Sequence, residues 1–280
     1  MKFSEIRNLT KKEKKIAKEL DKVREYYNNV ELNKYFEPKM LWEIDNSKKN
    51  DKMTLQISEP DDINCWIQGL SQGCIVKMRN IEEAISVLMN NENLYSSAIL
   101  IRHHLELAGL LCLSLEILIE QDQEKLQRFI SKTFYGASYY NNPKLRESDE
   151  AFFRTETPTV SAMIRALDNF LQVNTNNGYD ENFFKQNYAF FSQFSHPSSD
   201  TSSFFLDAKK EGEGNIMQFR WKPNYGDIGT INTLKVLKQN LQVGLACFYL
   251  FTAYHFSQDK IYVNEKNIAI SYEILTCDFS

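Results

Sequence analysis

Apolar residues recur every three or four positions over most of this chain, and polar interruptions divide it into helices. After Thr10-Lys-Lys-Glu13, which fits a capping box, Ile16, Leu20, Val23 and Tyr27 fall on one face. This spacing predicts a basic amphipathic helix of about five turns with one apolar seam, to be packed on the main body or on a partner chain. The segment from Glu37 to Glu59 is polar and lysine-rich and reads as a connection, with KKNDK its most loop-like stretch. Helical periodicity resumes behind Pro60, whose acidic neighbours Asp61 and Asp62 suit a first turn. Further on, Ile81, Ala84, Ile85, Leu88 and Met89 are expected to form one face of a helix ending near Asn90.

Residues 95 to 119, YSSAILIRHHLELAGLLCLSLEILI, are apolar on nearly all sides and belong at the centre of a bundle. DQEKLQRFISKTFYGASYY predicts another helix. Thr157-Pro158 opens the next, and TNNGYD stops it. Residues 180 to 195 form a strongly aromatic helix that ends at His196-Pro197. Between 203 and 222 two apolar-aromatic runs flank KKEGEGN, a hairpin signal. A last long helix is expected from about Thr230 to Phe256, and the tail KIYVNEKNIAISYEIL suits either a strand or a short helix. The fold class is therefore mainly α: a multi-helix bundle with a small β-hairpin insertion near 203–222. Residues 1–50 read as the N-terminal basic helix and its linker, and 51–280 as the bundle domain.

Composition sharpens this picture. With 10 Gly and 6 Pro in 280 residues, helices are favoured over a turn-rich β architecture, and 19 Phe with 14 Tyr suggest cores and seams filled by rings. The net charge of −4 gives no global positive field, yet the charge is uneven: residues 1 to 24 hold nine Lys/Arg against four Asp/Glu. Any contact with nucleic acid must be local. Five cysteines, odd in number and set in apolar sequence, read as free thiols of a cytoplasmic protein rather than a disulfide framework or zinc site. The N-terminus has no apolar signal core, and the apolar runs 105–119 and 241–254 fall short of a span of about 20 residues, so no membrane partner is expected.

Four ionisable residues, Arg102, His103, His104 and Glu106, crowd the first third of the central helix. Arg102 and Glu106, four apart, share a face with Ile99, Leu110, Leu113 and Ile117, which places the pair where the helix is otherwise buried. A buried charge needs a partner. One reading is a structural ion pair that fixes helix register. The other is a polar pocket in which Arg102 supplies donors for a phosphate or carboxylate and Glu106 orients it. His103 and His104 project to different faces and cannot both join Arg102. On the aromatic helix Tyr188, Ser192 and His196 follow at helical spacing. His196 reads either as a C-terminal cap or, if that helix packs on the central one, as an acid–base group beside Arg102. Metal ligation is disfavoured because the Glu-x-x-His order of di-iron bundles is absent. Glycine-rich phosphate loops, nucleophile elbows and paired CxxC motifs are absent too, and no cofactor is expected.

AILIRHHLELAGLL resembles the "alliR-xx-lE" helix, and YAFFSQFSHPSS the "Y-xx-lS-xxx-HP" segment, of the DUF5677-like families of bacterial helical proteins. These are similar to the HEPN superfamily of helical bundles, many of whose members are RNases of toxin–antitoxin and phage-defence systems. The resemblance spans roughly residues 75 to 200 and carries over Arg102, Glu106, Ser192 and His196. It implies a defence or stress protein that forms a homodimer and has RNA or a protein as partner. Active HEPN RNases place a His four to six residues after an Arg on one helix, a spacing absent here. Catalysis would therefore need Arg102 and His196 to converge from separate helices or from two protomers. A non-catalytic binding or sensor module, contacting its partner through the basic helix or the hairpin, is the alternative.

Overall fold

The computed structural model describes residues 1–32, 42–44, 53–55, 60–122, 125, 126, 129, 133, 158–174, 181–195, 206–211, 214–219, 229–257 and 260–276. Among them are seven α-helices: α1 (Lys11–Glu25), α2 (Pro60–Asn90), α3 (Leu94–Ile119), α4 (Val160–Asn174), α5 (Phe183–Ser192), α6 (Thr230–Ala253) and α7 (Glu265–Thr276). Three antiparallel two-stranded ribbons accompany them. They pair β1 (Trp42–Ile44) with β2 (Met53–Leu55), β3 (Leu206–Glu211) with β4 (Gly214–Phe219), and β5 (Tyr254–Phe256) with β6 (Ile261–Val263). The protein is a mainly α, multi-helix bundle with a small β-hairpin in the 203–222 region.

The capping box of α1 forms as its spacing requires: Glu13 N–H donates to Thr10 Oγ1 at 3.3 Å, and Thr10 N–H to the Glu13 carboxylate at 2.7 Å. Its seam of Ile16, Leu20, Val23 and Tyr27 is buried in the common core, where α1 packs on α6. Asp21 ties the N-terminus to this helix by accepting from the N–H groups of Phe3 at 2.7 Å and Ser4 at 2.9 Å. The main body, not a second chain, thus covers the apolar face of the basic helix.

Helix α2 is one unbroken rod of 31 residues. Its hidden face runs through Ile67, Leu70, Cys74, Met78, Glu82, Ile85 and Met89, while Ala84 is exposed. The inward stripe is thus rotated from the one expected, and a glutamate lies within it. After a turn at Asn91-Glu92, with Glu92 at φ 58°, Asn93 caps α3 by accepting from Ser96 N–H at 3.1 Å. Helix α3 packs against α2, α4 and α6. It is long and apolar enough to cross a bilayer, unlike the shorter run read from the sequence, but most of its apolar stretch is buried inside the bundle.

One glycine contact and one thiol pair mark how close these helices lie. A Cβ on Gly109 would sit 2.7 Å from the Met163 carbonyl oxygen, so α3 and α4 touch backbone to backbone. Cys112 and Cys247, both buried, face each other across α3 and α6 with sulfurs 3.0 Å apart. Burial, then Cys112, pushes the Cys247 thiol well above its ordinary value. Helix α6 stops at Ala253, three residues earlier than its pattern suggests, because Tyr254–Phe256 leaves as strand β5. The ambiguous tail is both things in turn, strand β6 and then α7.

Candidate functional site

Helix α5 reaches the centre of the bundle through an anchor on α4. Asp168 is buried, and its carboxylate accepts from the backbone N–H groups of Phe184 at 2.8 Å and Lys185 at 3.2 Å. A carboxylate so placed satisfies two of the open donors in the first turn of α5 and complements its dipole. Phe184, Phe191 and Phe194 then fill the interior, and Tyr95 of α3 donates to the Phe194 carbonyl at 3.0 Å while its ring packs edge-on against Phe194. These contacts leave Tyr188 turned toward α3.

There Tyr188 closes a three-membered cluster. Arg102 Nε donates to the Tyr188 hydroxyl at 3.0 Å and to Glu106 Oε1 at 3.2 Å, and Tyr188 donates to the same carboxylate oxygen at 2.8 Å. The guanidinium also lies 5.4 Å from the centre of the tyrosine ring. His103 joins from the solvent side, with Nδ1 3.3 Å from Glu106 Oε2. Side-chain exposures of 26% for Arg102, 21% for Glu106 and 54% for His103 make this a notch open on one side. Both Arg102 bonds use Nε. Among the described residues its Nη1 and Nη2 make no hydrogen bond.

The electrostatics fix each member in one protonation state. Burial works to raise the Glu106 carboxyl, but bonds from His103 and Tyr188 and the charge of Arg102 outweigh it and hold the group below the ordinary range. Burial likewise disfavours charge on Arg102, and Tyr188 and Glu106 reverse that, so the guanidinium is held charged more firmly. Burial and the bond to Glu106 raise the Tyr188 phenol, which keeps it a donor; Ser192, one turn on, acts the other way. An anchored, partly exposed cation whose Nη1 and Nη2 make no hydrogen bond among the described residues, beside a carboxylate and an imidazole, can bind an oxyanion and exchange a proton near it.

Of the residues singled out in the sequence, Arg102, Glu106, Tyr188 and His103 come together, with Ser192 next to them. His196 lies outside the described residues, and the described segment that carries α5 ends at Ser195. One expectation is corrected. The Arg102–Glu106 pair is not in the hidden part of α3, since Ile99, Leu110 and Leu113 around it are only half-buried. The pair sits at the margin of the α3–α5 contact because α5 covers one flank only.

The fully hidden ionisable group of α3 is His104, which the sequence placed only on a different face from His103. Its Nε2 lies 3.0 Å from Glu82 Oε1, Asn240 Nδ2 of α6 meets its Nδ1, and both His104 and Glu82 have no exposure. Both ring nitrogens of His104 are thus engaged, one by the Glu82 carboxylate and one by the Asn240 carboxamide. Tyr27 donates to the same carboxylate, and Arg24 Nε reaches Oε2 at 3.1 Å. Burial, then the Glu82 carboxylate, raises the Tyr27 phenol well above its usual value. Glu82 was missed by the sequence reading. The available signal was its place in the run Met78, Glu82, Ile85, Met89, spaced four, three and four, which is a core position for any residue type. His104, Glu82, Asn240 and Tyr27 of this second network are buried and Arg24 closes it from the surface, so that it joins α1, α2, α3 and α6.

Among the described residues no group of three or more His, Cys, Asp or Glu side chains is arranged to hold a metal ion. Compared with models of protein families, with curated proteins and with solved structures, the chain matches none of them.

Proposed function

We propose that this chain is a HEPN-like helical protein of bacterial defence or stress type, in which the Arg102 notch receives the phosphodiester backbone of RNA. The observation that carries the reading is the guanidinium itself: Nε is fixed by Tyr188 and Glu106, and Nη1 and Nη2 remain for an oxyanion. Lysines 11, 12, 14, 15 and 18 are all exposed on the outer face of α1 and supply the local positive surface that an overall acidic chain needs to approach RNA. In cleavage, a ribose 2′-hydroxyl attacks the adjacent phosphorus and the 5′-oxygen leaves. Arg102 holds the scissile phosphate, Glu106 and Tyr188 keep the guanidinium in place, and an imidazole takes the proton from the hydroxyl and returns one to the leaving oxygen. His103 is the imidazole in the cluster, and His196 is the second candidate for that step.

The test is cleavage of labelled single-stranded RNA by the full chain. Arg102→Ala is expected to reduce the rate by about 10²- to 10³-fold. Either His103→Ala or His196→Ala should reduce it by about 10²-fold or more, identifying the proton carrier. Thermal melts should stay near wild type. Absence of cleavage by the wild type, or cleavage indifferent to Arg102, overturns the catalytic reading.

A second reading has its own observation. The Tyr188–Glu106 bond ties α5 to α3, as a structural ion-pair network in a non-catalytic binding or sensor module would. In that case neither the wild type nor any notch variant alters RNA, and the variants differ from wild type in stability alone.

A further inference from the structure

We propose that the groove between the N-terminal end of α2 and the β5–β6 ribbon binds a nucleobase. This open groove, of about 880 Å³, falls in the size range of small-molecule sites. It goes beyond the Arg102 notch and does not depend on it, because no described residue of α3 or α5 lines it.

The chemistry of the lining selects the ligand class. Asn28 and Asn29, which follow α1, and Gln68 and Gln72, one turn apart on α2, line the groove with carboxamide-bearing residues. Among the described residues none of these four side chains is hydrogen-bonded, so each offers a donor pair and an acceptor. His255 and Tyr262 are direct cross-strand partners on the ribbon, and both are exposed. Side chains opposite each other on two strands share a face, so an imidazole, whose Nε2 lies 3.5 Å from Asn64 Nδ2, and a phenol ring stand side by side where a flat ligand can pack. The ribbon is held firmly: buried Asn64 of α2 donates to the Phe256 carbonyl at 2.8 Å and accepts from Phe256 N–H at 2.9 Å. Lys260 Nζ lies 4.5 Å from the centre of the Tyr262 ring and covers one of its faces, so a base stacks on the other face or displaces this flexible side chain.

Charge then separates the alternatives. The charged lining is one acid and one base, Glu31 and Lys266, so the groove has no cluster of cations for phosphates. Amides that both donate and accept, beside an aromatic face, match the edge and the plane of an unpaired base. Recognition would therefore rest on the base, with Lys260 or Lys266 left for a single phosphate.

The experiment is calorimetry and saturation-transfer NMR on the full chain with AMP, GMP, CMP, UMP, ribose 5-phosphate and maltotriose. At least one nucleotide should bind, with its base protons saturated more strongly than its ribose protons, and ribose 5-phosphate should bind at least tenfold more weakly. Tyr262→Ala should weaken nucleotide binding by roughly 5- to 100-fold, the scale of one lost stacking contact, and Tyr262→Phe should keep it within about twofold. Tyr262 is 49% exposed, so the alanine variant should melt as wild type does, and His255→Ala provides an independent variant of the same platform. A 2′-deoxy hexanucleotide that binds more tightly than the mononucleotide identifies a strand as the source. Equal affinity identifies a free nucleotide, and both uphold the proposal. Failure of every nucleotide to bind, ribose 5-phosphate equal to AMP, binding of maltotriose alone, or unaltered affinity in Tyr262→Ala overturns it. Arg102→Ala should leave this binding at the wild-type value, so loss of RNA cleavage and loss of base binding are read separately.

Discussion

Glu82 and Glu83 are neighbours of the same type in one helix, yet the first side chain has no exposure and the second is 53% exposed. A difference of 100° around the helix axis separates a carboxylate that must be matched inside the protein from one that water solvates. The same holds on α3, where Arg102, His103 and His104 go to a notch, to solvent and to the core. Pairing of Arg102 with Glu106 was legible because positions four apart always meet on a helix. Tyr188 at that pair was legible only as a candidate, since its approach depends on how α5 docks. The pH response of the notch follows from Glu106, whose carboxyl lies below its ordinary value of 4.5 in the folded chain. A lowered folded pKa means that its stabilisation is complete above 4.5 and disappears as pH falls through the lower folded value. Glu106→Gln should therefore melt below wild type at neutral pH, by a difference on the order of 1 kcal/mol. Melting curves of the two proteins should converge as the acid range is crossed. A gap that persists unchanged in acid would show that charge on Glu106 contributes nothing.

At the scale of elements, capping and periodicity carried most of the information. Thr10 with Glu13 and Pro60 with two aspartates form where their local chemistry puts them, and the hairpin forms within 203–222, although its strands run on through Lys209–Glu211 and Gly214-Asn215 instead of stopping on either side of KKEGEGN. What failed was the choice of inward face on α2 and the end of α6. Each depends on a neighbour: α2 turns the stripe containing Glu82 inward because Tyr27, Arg24 and His104 converge on it, and β5 leaves α6 to pair with β6. Two glycines test the packing. Gly109→Ala should destabilise by about 1–3 kcal/mol, because the added methyl meets the backbone of α4. Gly73 has nothing within 4 Å of a built Cβ, so Gly73→Ala should stabilise by about 0.5–1 kcal/mol through helix propensity. Chemical denaturation distinguishes them. A stabilising Gly109→Ala would mean that α3 and α4 do not approach as closely as the structure has them.

Across the whole molecule, the N-terminal arm belongs to the core. Phe3, Ile16, Leu20, Val23 and Tyr27 lie in the same buried cluster as α2, α3 and α6, and Tyr27 with Arg24 serves the Glu82 carboxylate. Deleting residues 1 to 28 thus removes two partners of a buried charge and one wall of the core. It should lower the melting temperature markedly, and Glu82→Ala alone should cost about 3–5 kcal/mol, because His104, Tyr27 and Arg24 lose their common acceptor. A truncated chain that melts with wild-type cooperativity would contradict this. Sequence by itself determined that the chain is helical, where most helices begin, and that Arg102 and Glu106 must interact, since caps, periodicity and four-residue spacing act within a few residues. Tertiary structure alone decided which glutamate is hidden, that His104 serves the interior while His103 faces water, and that amides from α2 and rings from a distant ribbon share one groove. Those outcomes depend on groups far apart in the chain, and nothing local encodes which of them will meet.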